Sequence, residues 1–215
     1  MSADARFTVP LYTASSAASH VAMPRSTLNR WMGRDQLLTS VSGRGRQPRL
    51  PFIGLVEAQF YKGLRNTGLS MQAINSGMVE VRRALGDRML AKGVIAHDGK
   101  DILMNLADRG DPDWVRARDR QGGLPEIIEI GLKPIEWAAD GLPQRVRLIA
   151  YGDNMVAADP RVALGQPFVV SSGARVEDII DLFRAGEDLA TVSHEMGVNP
   201  RDVEAIVRAH LPLAA

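Results

Sequence analysis

Two stretches near opposite ends of this 215-residue chain place apolar residues at helical spacing on both sides of a tight turn, and they lie in halves of opposite charge. Residues 1–100 hold 14 Lys and Arg against 6 Asp and Glu, whereas residues 101–215 hold 12 against 19. The formal net charge of +1 therefore conceals a basic half and an acidic half. A basic half suits a polyanion such as DNA; an acidic half repels phosphate and suits a basic partner. A chain patterned in this way reads as a DNA-binding module joined to a protein-binding module.

In the basic half, Ala14, Ala17, Ala18 and Val21 fall at helical spacing, and Pro24 suits the first turn of a second helix. The N–H that proline lacks would have no partner there. Leu28, Trp31 and Met32 continue the apolar stripe. Helix, tight turn and helix within about twenty residues is the size of a helix-turn-helix. Residues 40–49, rich in Gly, Pro and Arg, form a loop or short hairpin. Ile53, Val56, Phe60 and Leu64 predict a helix that Asn66-Thr67-Gly68 stops, and Ser70 caps the next. There Ile74, Met78, Val81 and Leu85 form a seam that buries against a core or a second subunit.

The pattern then changes period. Residues 94–97 and 102–105 flank Asp98-Gly99, and residues 135–137 and 146–149 flank Asp140-Gly141, both hairpin signals. Residues 108–123 are charged and read as a connector or exposed helix; residues 124–133 read as a helix and 151–158 as a linker. Three short helices fit the C-terminus. Val176, Ile179, Ile180 and Phe183 stripe the first, which Gly186 ends; Leu189, Val192 and Met196 stripe the second, ended by Gly197. Asn199 caps the third and Pro200 opens it, with Val203, Ile206, Val207 and Leu211 inward.

The second helix of the N-terminal motif carries Arg25, Ser26, Thr27, Asn29 and Arg30, with Arg34 following. Arg reads guanine, Asn reads adenine and hydroxyls hold phosphate. The same residues also describe a solvated helix face, but the loop arginines Arg44, Arg46 and Arg49 favour DNA. Arg44-Gly45-Arg46 has the composition of a hook for a narrow minor groove, or of a plain basic loop. Nothing argues for catalysis. His194-Glu195 lacks the second histidine of a zincin, since position 198 is Val, and no phosphate loop or nucleophile elbow occurs. With no Cys, thiol chemistry and Cys-based zinc sites are excluded. No apolar run approaches a membrane span and the first ten residues lack a signal peptide's apolar core, so a soluble, cytoplasmic protein is expected. No cofactor is implied.

Tyr12-Thr13-Ala14 through Val21, Pro24-Arg25-Ser26-Thr27-Leu28 and Trp31 resemble the start of a MerR-type winged helix. The loop at 40–49 would be the wing, and helices at 52–65 and 70–86 around Gly68-Leu69-Ser70 its continuation. At the other end, Asp159-Pro160-Arg161-Val162, Gly165, Pro167, Val169-Val170, Gly173, Arg175 and Phe183-Arg184-Ala185-Gly186-Glu187 resemble a bacterial domain family of unknown function. Proteins combining the two are similar to antitoxins of VapBC-type toxin–antitoxin pairs. Ala22 departs from a turn glycine, and Ala174 and Glu177 stand where the C-terminal family often has Thr.

The resemblance implies a non-enzymatic antitoxin that binds and blocks a PIN-domain ribonuclease and, as a complex, represses its own promoter. Arg175 and Arg184 are candidates to contact the nuclease because they are basic residues in that domain; a surface or local ion-pair role is the plainer account. The expected fold is mostly α (α+β): residues 1–90 a winged helix-turn-helix, 91–150 a small antiparallel β region, and 151–215 a three-helix interaction bundle. A homodimer is expected from paired operator half-sites, with the 74–85 seam as its interface. The rivals are a stand-alone MerR-like regulator whose C-terminal half senses a ligand or protein, and a protein adaptor that no longer binds DNA.

Overall fold

The computed structural model describes residues 4–43, 47–91, 95–97, 100–105, 114–117, 119, 133–152 and 155–210. The chain is mostly helical with small antiparallel sheets, as the sequence pattern requires. It divides into two compact units, one of residues 1–29, 39–55 and 145–215, the other of residues 30–38 and 56–144. Each draws on segments distant in sequence, a feature that a linear reading into 1–90, 91–150 and 151–215 does not contain.

The first unit holds the short helix α1 (Ala5–Thr8), α2 (Ala14–His20) and the start of α3 (Arg25–Met32). Helix α2 begins in a capping box: the Thr13 hydroxyl accepts from the Ser16 N–H at 3.0 Å, and the Ser16 hydroxyl accepts from the Thr13 N–H at 3.1 Å. Ala17, Ala18, Val21 and Leu28 are buried, which is the apolar stripe read from the sequence. The same unit holds an antiparallel ladder. Val146 and Arg147 pair with Ala158 and Ala157 of β6 (Val156–Ala158), and Val156 and Ala157 pair with Val169 and Phe168 of β7 (Phe168–Val169). The expected linker at 151–158 is therefore not one: Tyr151 is buried and all three β6 residues are fully covered. Two small alanines and a valine carry little strand signal on their own; their burial beneath neighbouring strands fixes them there.

Three helices close the unit: α6 (Val176–Ala185), α7 (Leu189–Met196) and α8 (Pro200–His210). They end and start where expected, with Gly186 and Gly197 left-handed and Asn199 Oδ1 accepting from the Arg201 N–H at 2.9 Å. Between β6 and β7 the chain makes a left-handed turn, with φ 49° at Ala163, 55° at Leu164 and 81° at Gly165. Each of the first two costs about 1–2 kcal/mol relative to ordinary backbone. The preceding Asp159 is fully buried and accepts from the Arg161 guanidinium at 2.8 Å and from Arg145 Nε at 3.3 Å. Burial pulls its carboxyl upward, but the hydrogen bonds and charge of Arg161 and the charge of Arg145 outweigh it and hold the group below its usual range.

The second unit holds most of α4 (Phe52–Asn66), α5 (Met71–Leu85), a 3₁₀ turn at Gly86–Leu90 and a sheet. Ser70 caps α5 as expected, its hydroxyl accepting from the Ala73 N–H at 3.1 Å. In the sheet, β1 (Ile95–His97) pairs antiparallel with β2 (Ile102–Asn105), and β2 with β3 (Trp114–Arg116). The expected first hairpin is present, although its Asp98-Gly99 turn lies outside the described residues. The strand at Trp114–Arg116 replaces the connector or exposed helix expected there. Leu103 and Met104 of β2 are fully buried, and β3 pairs along that central strand, a demand invisible in a charged local sequence. The helix expected at 124–133 lies outside the described residues except for Lys133. After β4 (Ile135–Trp137), Asp140-Gly141 makes the expected turn, with Gly141 at φ 77° and Asp140 Oδ1 accepting from the Leu142 N–H at 2.9 Å. The strand β5 (Pro143–Arg147) follows.

Ile74, Met78 and Val81 of α5 are at most 1% exposed within the chain itself. The seam expected to form a dimer interface is thus spent on the protein's own core, which corrects that expectation. Helix and sheet approach so closely that a Cβ on Gly77 would stand 2.7 Å from Ile102 Cβ. Gly77→Ala should therefore lower stability by about 1–3 kcal/mol through overpacking, overriding the roughly 0.5–1 kcal/mol that alanine ordinarily gains within a helix. Urea unfolding would read the difference.

Candidate nucleic-acid interface

Helix α3 turns Leu28 and Trp31 fully inward. Helical geometry then sends the intervening residues outward: Arg25, Ser26 and Asn29 are exposed, as is Arg30, and Thr27 is half-buried. Arg25 and Asn29, and Ser26 and Arg30, are four residues apart and so neighbour each other on the helix surface. Arg30 Nε pairs with Asp35 at 3.2 Å, and Arg34 is exposed. The turn joining α2 to α3 places Ala22 at φ 48°, the conformation for which a glycine is common. Ala22→Gly should relieve that strain and raise Tm by roughly 2–4 °C, measurable by calorimetry.

The loop after α3 is closed at its base. The Val41 N–H donates to the Arg49 carbonyl at 2.8 Å, and the Arg49 N–H donates to the Tyr12 carbonyl at 2.9 Å. Tyr12 and Leu50 form an antiparallel bridge, so the segment entering α2 pairs with the segment leaving the loop. Arg49 is half-buried and its Nε donates to the Val41 carbonyl at 3.4 Å; it braces the loop. Arg44 and Arg46 lie outside the described residues. The C-terminal candidates are elsewhere in the first unit and both sit in short-range ion pairs, Arg175 with Asp178 at 2.8 Å and Arg184 with Asp181 at 3.7 Å.

His20 and His210 lie 190 residues apart in the sequence. The fold brings their rings to 5.7 Å, with Tyr151 between. The Ile206 carbonyl can only accept, so His210 Nδ1 donates to it at 3.2 Å, which leaves His210 Nε2 an acceptor for the Tyr151 hydroxyl at 3.4 Å. Tyr151 in turn accepts from His20 Nδ1 at 2.7 Å. Burial favours the neutral form of both imidazoles. Burial, then the neighbouring charge of His210, pushes His20 down to about 3, and burial also lowers His210. No local signal marks these residues, because they are 131 and 59 positions apart along the network. Beside them is a cleft of about 240 Å³, with Ser15, Ser16 and Ser19 facing Glu177, Arg184 and His210. Among the described residues, no three His, Asp or Glu side chains are grouped to hold a metal, and no helix is long and apolar enough to cross a membrane.

Because the folded pKa of His20 is depressed, the unfolded chain takes up the proton first. Stability is fully present above about 6.5 and is lost as pH falls toward 3. Denaturant titrations between pH 7.5 and 5 should show unfolding free energy falling by on the order of 1 kcal/mol per pH unit below that point, and His20→Gln should flatten the slope.

Residues 10–78 match a family described as "Putative DNA-binding HTH domain", and residues 156–208 match one described as "Protein of unknown function (DUF433)". The first spans α2, α3 and the braced loop; the second spans β6 through most of α8. Over 91% of each chain, this protein is 34% identical to "Putative antitoxin VapB45" of Mycobacterium tuberculosis. The chain belongs to the VapB45 family of antitoxins. It also resembles the crystal structure of Rv2018 from Mycobacterium tuberculosis, with a TM-score of 0.68 and 31% identity over 94% of this chain and 99% of that one. The N-terminal helix pair thus lies within the stretch that matches a helix-turn-helix family.

Proposed function

We propose that this VapB45 relative is the antitoxin of a type II toxin–antitoxin pair, which binds and inhibits a PIN-domain ribonuclease and represses its own operon by binding promoter DNA. The observation that carries the DNA half is the α3 face: Arg25, Ser26 and Asn29 stand exposed on a helix whose other side, Leu28 and Trp31, is locked in the core. A recognition helix needs that division, rigid beneath and donor-rich above. In this reading Arg25 and Asn29 read base edges, with Arg30 available once phosphate competes with Asp35. Ser26, Thr27 and Arg34 hold phosphate, and Arg44 and Arg46 reach DNA from a loop that Arg49 braces. The protein acts as a homodimer on paired half-sites in the cytoplasm, with an interface other than the 74–85 seam. The acidic C-terminal half, away from phosphate's sign preference, engages the nuclease.

The cleft beside His20 gives the second reading its support. A polar cavity lined by hydroxyls, Glu177, Arg184 and His210 suits a small polar effector, as a MerR-like regulator with a sensing C-terminal half requires.

A DNA titration and a capture experiment test these readings. Fluorescence anisotropy on promoter DNA should show Arg25→Ala with Arg30→Ala weakening binding at least tenfold, with capture of the copurifying nuclease unchanged. Unchanged DNA affinity would remove the recognition-helix assignment. Recovery of the protein alone while a neighbouring nuclease is expressed would favour the regulator.

A further inference from the structure

The cleft beside His20 takes its walls from three helices of the first unit: Ser15 and Ser19 of α2, Glu177 and Arg184 of α6, and His210 of α8. The hydrogen bonds behind it run in one direction. His210 Nδ1 donates to the Ile206 carbonyl, Tyr151 donates to His210 Nε2, and His20 Nδ1 donates to Tyr151. They end on His20 Nε2, a lone pair that no described residue fills. His20 lines the cleft and is 5% exposed, so its remaining nitrogen is offered there rather than to bulk water. A buried acceptor without a donor is a demand that a ligand can meet.

Glu177 and Arg184 lie seven residues apart on α6, which is two turns or about 10 Å along the axis, so they share a face without pairing. Among the described residues Glu177 has no hydrogen bond or ion pair, and its neighbour Arg175 is taken by Asp178. Arg184 meets Asp181 at 3.7 Å, too long for a hydrogen bond, with the two side chains 65% and 64% exposed. Both charges reach His210: after burial and the Ile206 hydrogen bond, Arg184 lowers its pKa and Glu177 raises it. On α2, Ser16 is spent in the capping box, while Ser15 and Ser19, one turn apart, offer hydroxyls.

We propose that the cleft binds a small zwitterion, a free amino acid or a close relative, with its carboxylate on Arg184 and its ammonium between Glu177 and His20 Nε2. The two opposite charges select that occupant. A phosphate meets Glu177 with like charge, a plain amine meets Arg184 with like charge, and a neutral sugar leaves both heads without a counter-charge. A molecule carrying both signs satisfies the two ends at once, and the serine hydroxyls complete either set because they donate and accept. The size agrees: about 240 Å³, at roughly 30 Å³ per water in the liquid, holds about eight non-hydrogen atoms. Such a ligand is the effector that the sensing reading above requires. What binding does to the DNA-reading end rests on that reading; binding itself does not.

The test uses the full chain. Isothermal titration with glycine, β-alanine, γ-aminobutyrate and each standard L-amino acid should give saturable binding by at least one, with Kd roughly micromolar to millimolar for ligands of this size. Glu177→Gln and Arg184→Gln should each weaken that ligand at least tenfold, while melting like wild type in its absence. Propylamine, propionate and ribose should bind at least tenfold more weakly than the zwitterion. No saturable binding by any zwitterion at millimolar concentration would overturn the proposal, as would full affinity in either variant or equal affinity for a control that lacks one of the charges. Fluorescence anisotropy on promoter DNA, with and without the bound amino acid, tests the sensing reading separately. A changed affinity supports that reading; an unchanged one removes it and leaves the binding site established.

Discussion

The hydrogen-bonded chain from His20 through Tyr151 to His210 and the Ile206 carbonyl ties together three segments of the first unit that the sequence keeps far apart. His20 and Tyr151 are buried and His210 is half-buried, so their polar groups need partners, and each partner comes from a different segment. Tyr12 repeats the arrangement: its ring is fully buried, its hydroxyl donates to the Gly165 carbonyl, and its backbone pairs with Leu50. The end of α2, the start of the helix-turn-helix and the DUF433 segment are therefore parts of one core rather than two modules on a string. The buried His20 imidazole also makes that core dependent on pH, since burial disfavours its charged form.

That arrangement joins the two ends of a VapB45-type antitoxin in one unit. A helix-turn-helix that shares its core with the C-terminal bundle cannot repack without disturbing the Tyr12 and His20 contacts. Three named side chains, His20, Tyr151 and His210, make that physical continuity between the two segments.

The second unit shows a plainer economy. Helix α5 buries Ile74, Met78 and Val81 within the chain, with Gly77 admitting Ile102 at close range. Trp31 and Tyr61 meet edge to face at 5.8 Å, and Glu57, almost fully buried, is held by Arg82 at 3.0 Å. A buried carboxylate is tolerable only with such a partner. The seam's spacing was legible from sequence, but its destination was not. Helical periodicity says that a face is covered and is silent about whether the cover is the same chain or another.

What the sequence by itself determined is local. Capping at Thr13, Ser70 and Asn199, the stops at Gly186 and Gly197, the turn at Asp140-Gly141 and the inward stripe of Leu28 and Trp31 follow from spacing and backbone chemistry within a few residues, and so does the outward face of Arg25, Ser26 and Asn29. The resemblance carried the family. Tertiary structure alone decided the rest. The strands at Trp114–Arg116 and Val156–Ala158 exist because a neighbouring strand needs an edge covered. Arg175 and Arg184, by contrast, sit in the local ion pairs with Asp178 and Asp181 that their sequence spacing allows. The meeting of His20 with His210, and the tie of Tyr12 to Gly165, depend on contacts across more than a hundred residues, where the chain's order says nothing about distance.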